Sequence, residues 1–102
     1  MTDARTIQLR RYQLVPGVLP EFVPWFTERL IPARLAHGFR VEFAYPLPDT
    51  DEFVWAVSAE GDAAAFAAVE ERYLASPERA AAFADQPQRI ASMALALVQP
   101  VA

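Results

Sequence analysis

One stretch near the start of the chain constrains the fold more than any other. Residues 6 to 45 read TIQLRRYQLV, then Pro16-Gly17, a stretch from Leu19 to Ala36, His37-Gly38, and FRVEFAY. In the first segment Ile7 and Leu9 fall on one face of a strand and Arg10, Tyr12 and Leu14 on the other. Pro16-Gly17 is a turn signal that ends it. Leu19, Phe22, Val23, Phe26 and Leu30 then step by three and four, the stripe of an amphipathic helix. Pro20 suits a first helical turn. Pro24 and Pro32 lie inside, where a proline removes a hydrogen bond and bends the axis, so a late start after Pro24 and a bend near Pro32 are expected. His37-Gly38 reads as a C-terminal cap, with a basic side chain at the negative end of the helix dipole. A second strand follows from Phe39 to Tyr45, with Phe39, Val41, Phe43 and Tyr45 on one parity.

The second half answers in reverse. Pro46, Pro48, Asp49 and Asp51 form a loop before a β-branched and aromatic strand from Glu52 to Ala59. Asp62 is an N-cap for a helix with Phe66, Val69 and Tyr73 on its buried side. Ser76-Pro77-Glu78 is a new start signal, so the helix breaks near Ala75 and resumes to Ala84. A last strand covers Arg89 to Val98. The order β-α-β-β-α-β over a single domain, residues 1–102, is that of the α+β ferredoxin-like fold, a four-stranded antiparallel sheet with helices on one face. A sheet with one wet face should alternate apolar and polar residues. IASMALALV and FVWAV do not, so both faces are expected to be buried, the open one in a two-fold dimer packed sheet to sheet.

Composition bears on what such a dimer could bind. The net charge of −4 supplies no basic field for nucleic acid or an anionic membrane surface. The third strand also lacks the basic-Gly-aromatic run of an RNA-binding βαββαβ module. There is no cysteine, which excludes thiol chemistry and disulfides. The apolar run Met93 to Val98 is too short to span a bilayer, and MTDARTIQLRR lacks the apolar core of a signal peptide, so a cytoplasmic location is expected.

The run Gln8-Leu9-Arg10-Arg11-Tyr12, then Pro16-Gly17, Leu19-Pro20-Glu21-Phe22, Pro32 and His37-Gly38-Phe39 resembles the NIPSNAP family. Trp55-Ala56 and Ser76-Pro77-Glu78 are also similar to its pattern, from which Pro24 departs. The resemblance covers most of the chain. It implies a dimeric α/β barrel, two ferredoxin-like subunits joining their sheets around a lumen. It implies no reaction, because the family has no established common one. The wider superfamily holds cofactor-free oxygenases, haem enzymes, isomerases and binding proteins, and a fold does not choose among them.

If Ile7 and Leu9 meet the helices, Arg10 and Tyr12 point into the lumen. An arginine there needs a partner, either a carboxylate such as Glu42 or an anionic ligand that Tyr12 orients. Trp55 is the wall of an aromatic-ligand pocket or plain core. The expected function is therefore a homodimer whose lumen binds a small hydrophobic or aromatic molecule through Arg10, Tyr12 and Trp55. The alternatives are a cofactor-independent oxygenase or isomerase, with Tyr12 or Glu42 handling protons, and a non-catalytic dimer with a filled lumen. No metal site and no cofactor are expected. His37 is the only histidine and reads as a cap. Superfamily haem enzymes need a histidine from the second half, and the oxygenases' Asn-Trp-His set lacks its Asn. Asp49, Asp51 and Glu52 would suit a hard cation or simply form a solvated loop. Ser58 and Ser92 have no histidine placed to activate them, and Met93 reads as filler.

Overall fold

The computed structural model describes residues 4–101. Its elements are β1 (Arg5–Leu14), α1 (Leu19–Trp25), a π-helical turn (Phe26–Leu30), α2 (Ile31–Leu35), β2 (Arg40–Leu47), a 3-10 turn (Pro48–Thr50), β3 (Glu52–Glu60), α3 (Ala63–Leu74), α4 (Pro77–Phe83) and β4 (Ile90–Val98). The strands form one sheet in the order β2-β3-β1-β4, every neighbouring pair antiparallel. This is the ferredoxin-like βαββαβ arrangement, with two helices in the second crossover.

Pro24 and Pro32 are both absorbed without a break. The helix begins at Leu19, with Pro24 inside it, so the late start does not occur. The turn before Pro32 widens instead, and the Ile31 N–H donates to the Phe26 carbonyl five residues back. A wide turn of this kind relieves a proline ring that would crowd a regular helix. It also re-aims side chains. Trp25 and Leu30 would lie about 140° apart on a regular α-helix, yet both are buried on the sheet side, together with Arg34. The helix then closes on Gly38 at φ +88°. The Phe39 N–H donates to the Arg34 carbonyl and the Gly38 N–H to that of Leu35, the pair of bonds of a Schellman cap. Asp62 and Ser76 accept from the N–H groups of Ala65 and Arg79 and so cap α3 and α4, as their positions in the sequence indicate.

The core lies between the sheet and the helices and is aromatic. Phe53 of β3 meets Phe22 and Phe26 with ring centroids 5.0 and 4.6 Å apart, and Trp55 meets Phe26 edge-on at 4.9 Å. Register identifies the strand face that builds it: Tyr12 pairs Phe53, Arg10 pairs Trp55 and Gln8 pairs Val57. Arg10, Tyr12 and Leu14 therefore face the helices, and Ile7 and Leu9 face the open side. This reverses the facing on which a position for Arg10 and Tyr12 inside an intersubunit lumen depended.

One further expectation is corrected. β2 does not keep one parity, because a bulge at Glu42 separates the pairs Val41–Val57 and Phe43–Ala56. Phe39 and Val41 accordingly meet the core, while Phe43 and Tyr45 turn to the open face. The extra residue of a bulge flips every later side chain. β4 pairs with β1 alone and lies beyond the helices. Its side chains are exposed on both faces of the single chain, with Met93, Leu95 and Leu97 about half exposed. No helix among the described residues is long and apolar enough to cross a membrane.

Candidate functional site

The facing of β1 creates the site. Arg10 and Tyr12 project beneath the helices, where a cavity of about 280 Å³ opens between the sheet, α2, the end of α3, α4 and the segment 86–90. Phe22, Trp25, Leu30, Phe83 and Ile90 supply apolar wall, and the π turn is what brings Trp25 and Leu30 to it together. Four arginines also line it: Arg10, Arg34, Arg79 and Arg89. In a chain of net charge −4, this is a local concentration of positive charge.

Arg34, on α2, is buried to 3% exposure. Its guanidinium lies over the rings of Tyr73, Phe39 and Trp55, at 4.2, 4.8 and 5.5 Å from their centroids. Such stacking suits a planar, weakly hydrated cation. Arg10 donates from Nε to Tyr12 Oη at 2.8 Å and from Nη1 to Gln8 Oε1 at 2.6 Å. Glu70 of α3 bridges the two arginines: both its oxygens accept from Arg34, and Oε2 lies 3.8 Å from Arg10 Nη1. Toward the mouth, Arg89 bonds Gln86 at 2.9 Å and approaches Glu21 at 3.5 Å. Arg79 lies over Phe83 and pairs with no carboxylate among the described residues.

The hydrogen-bond balance is lopsided. Among the described residues, the buried side-chain atoms left without a partner are Arg34 Nε, Arg89 Nε, Trp55 Nε1 and Tyr73 Oη. All four can donate, and three belong to residues lining the cavity. Burial pushes the Tyr73 phenol up, against smaller downward pulls from Arg34 and Arg79, so it stays protonated. Native interiors leave few such groups; here they cluster beside one hollow.

No family model and no curated protein matches the chain. Solved structures do. A NIPSNAP-like domain protein from Burkholderia xenovorans superposes with a TM-score of 0.81 at 21% identity, covering 98% of this chain and 88% of its own. A NIPSNAP family protein of unknown function from Agrobacterium tumefaciens gives 0.82 at 16% identity, covering 98% and 91%. The fold is that of the NIPSNAP-domain structures. A putative antibiotic biosynthesis monooxygenase from Bacteroides thetaiotaomicron is more distant, at a TM-score of 0.67 and 18% identity over 97% and 91%.

On this NIPSNAP-type scaffold the residues singled out in the sequence separate. Arg10, Tyr12 and Trp55 share the helix-side face. Arg10 and Tyr12 line the cavity; Trp55 is fully buried beneath the two guanidinium groups. Glu42 lies on the opposite, open face. There it accepts from Ser58 Oγ at 2.6 Å and Arg40 Nε at 2.9 Å, bonds that hold its carboxyl below the ordinary range. Glu42 is therefore neither the partner of Arg10 nor within reach of Tyr12. Met93, taken as filler, lines the cavity with its sulfur 3.9 Å from Arg10 Nη2. His37 caps the helix through its backbone, while its ring meets Glu78 Oε1 at 2.7 Å. Glu52, in the acidic loop, pairs with Arg11, and no cluster of three metal-binding side chains occurs among the described residues. The sequence reading missed Arg34, Glu70 and Tyr73 as a group. An arginine at a position the helical stripe assigns to the core was the signal available.

Proposed function

We propose that the chain is a homodimer, joined through its open sheet face, whose helix-side cavity binds a small anionic molecule with an apolar or aromatic body. The observation that carries this reading is the set of unpartnered buried donors beside a hollow lined by four arginines. A carboxylate or enolate would accept from these groups, and charge-assisted bonds in a dry site are the strong ones. The aromatic wall from Trp25 and Phe22 suits the body of such a ligand. The dimer is supported by the open face, where Leu9, Val54, Phe43, Tyr45 and Val98 form an apolar band. Polar groups stand at its two ends, Arg5–Ser58–Glu42–Arg40 and Arg11–Glu52. A covered centre with a polar rim is the anatomy of an interface.

Calorimetric titration with benzoate, and with neutral benzamide as control, tests the cavity. Benzoate should bind and benzamide should not, and Arg10→Met should weaken benzoate at least about tenfold while the sedimentation coefficient stays that of the dimer. Equal affinity for the two compounds refutes the reading. Tyr45→Asp places a charge on the apolar band, at its β2 edge, and should yield a monomer on sedimentation. A variant that stays dimeric sinks the sheet-to-sheet assembly.

A second reading, turnover of an electron-rich aromatic without a cofactor, is favoured by Tyr73, a phenol kept protonated and without an acceptor that could protect or protonate an enolate. The fold shared with a putative monooxygenase is compatible with it. Oxygen uptake lost in Tyr73→Phe supports it; no uptake across an aromatic panel removes it.

A further inference from the structure

Glu70 stands out because its charge does not match that of its partners. Arg10 and Arg34 come from opposite sides of the cavity, one from β1 and one from α2, and they share this single carboxylate of α3. Two positive charges against one negative leave one unit of positive charge in a buried place. Neither arginine is free to leave. Arg34 is held among three aromatic rings, and Arg10 is held by Tyr12 and Gln8. Glu70 is held as well, because both its oxygens engage Arg34, and expelling it would strip a buried cation of its counter-ion.

Resting on the anion-binding reading above, we infer that Glu70 stays in place when a ligand enters and restricts the ligand's acidic group to a single negative charge. A carboxylate or enolate beside Arg10 and Tyr73 brings the group Arg10, Arg34 and Glu70 to neutrality. A phosphate dianion in the same place leaves that group with one net negative charge, and it is repelled by the Glu70 carboxylate, which stands behind the two lining arginines with Oε2 3.8 Å from Arg10 Nη1. Glu70 is thus a specificity-determining residue. It disfavours phosphoryl compounds against carboxylates in a pocket where Arg79 and Arg89 would otherwise favour a second negative charge, which is discrimination by a repulsive element.

The test is a pair of titrations in each sample, benzoate and phenyl phosphate, at about pH 7.5, above the second phosphate pKa of about 6. Wild type should favour benzoate. Glu70→Gln keeps size and hydrogen bonding but removes the charge, and should raise phenyl phosphate affinity relative to benzoate by about tenfold or more, the scale of one charged contact. Glu70→Ala is the second variant and should move the ratio the same way. Any loss of folded protein scales both titrations alike and leaves their ratio unchanged. A ratio unaltered in both variants, or affinity falling for both probes together, overturns the inference and makes Glu70 a support for the arginines. Failure of wild type and both variants to bind either probe overturns the underlying anion-site reading instead.

Discussion

Tyr73→Phe should stabilise the empty protein and weaken ligand binding. The Tyr73 ring is 1% exposed, and its hydroxyl has no partner. A buried hydroxyl without a hydrogen bond costs about 1–3 kcal/mol. Phenylalanine keeps the ring under the Arg34 guanidinium and the edge contacts with Phe39 and His37. The substitution therefore isolates the oxygen. Taking about 1 kcal/mol as the recovered penalty, the melting temperature should rise by about 4–8 °C for a domain of this size. Scans are to be made at equal protein concentration, because the proposed dimer would make the midpoint concentration-dependent. In the presence of saturating benzoate the order should invert, because a bond to a charged acceptor contributes about 1.5–3 kcal/mol. Differential scanning calorimetry with and without benzoate reads both effects. A fall in melting temperature for the empty variant would refute the reasoning, since it would mean the hydroxyl already contributes a bond.

Two glycines separate backbone strain from steric conflict. A Cβ at Gly38 meets nothing within 4 Å, so Gly38→Ala should cost only the left-handed conformation, about 1–2 kcal/mol in a urea titration. At Gly61, also at positive φ, a Cβ would lie 2.5 Å from Ala65 Cβ, so Gly61→Ala should cost clearly more; equal losses would contradict the packing at the start of α3. Glu52 is held at about 2, mainly by its hydrogen bond from Arg11 and then by that from Thr50. A carboxyl depressed in this way stabilises the fold above its ordinary 4.5 and loses that contribution as pH falls toward 2. In Arg11→Met, the Glu52 carboxyl should titrate nearer 4.5 by NMR, and an unchanged value would show that Arg11 is not the cause.

The local grammar of the chain was legible because its causes are local. Pro16-Gly17, His37-Gly38, Asp62 and Ser76-Pro77 mark turns and caps through backbone geometry that depends on a few neighbouring residues, and the structure has each of them there. The element order followed, and with it the sheet, since few topologies accommodate βαββαβ. The site was legible only in part. Arg10 and Tyr12 were placed on one face by the two-residue strand period, and the β1–β3 register adds Trp55 to it, yet that period says which residues of a strand face together and not which way.

Facing is decided by where the helices settle. With apolar residues on both sides of β1, β3 and β4, the sequence alone left two nearly equivalent choices. Glu42 shows the same limit, because a one-residue bulge in β2 moved Phe43 and Tyr45 across the sheet with no composition signal to announce it. The π turn before Pro32 is a third case, since it alters a helical period that sequence reading assumes constant. Arg34 lies on α2 while Glu70 and Tyr73 lie on α3, and only the packing of the two helices over β1 and β3 makes them one group. Sequence determined the elements, their order and their caps, which are short-range properties. Tertiary structure decided which face is inside, and thereby that the arginines surround a hollow, because burial is a property of the assembled layers.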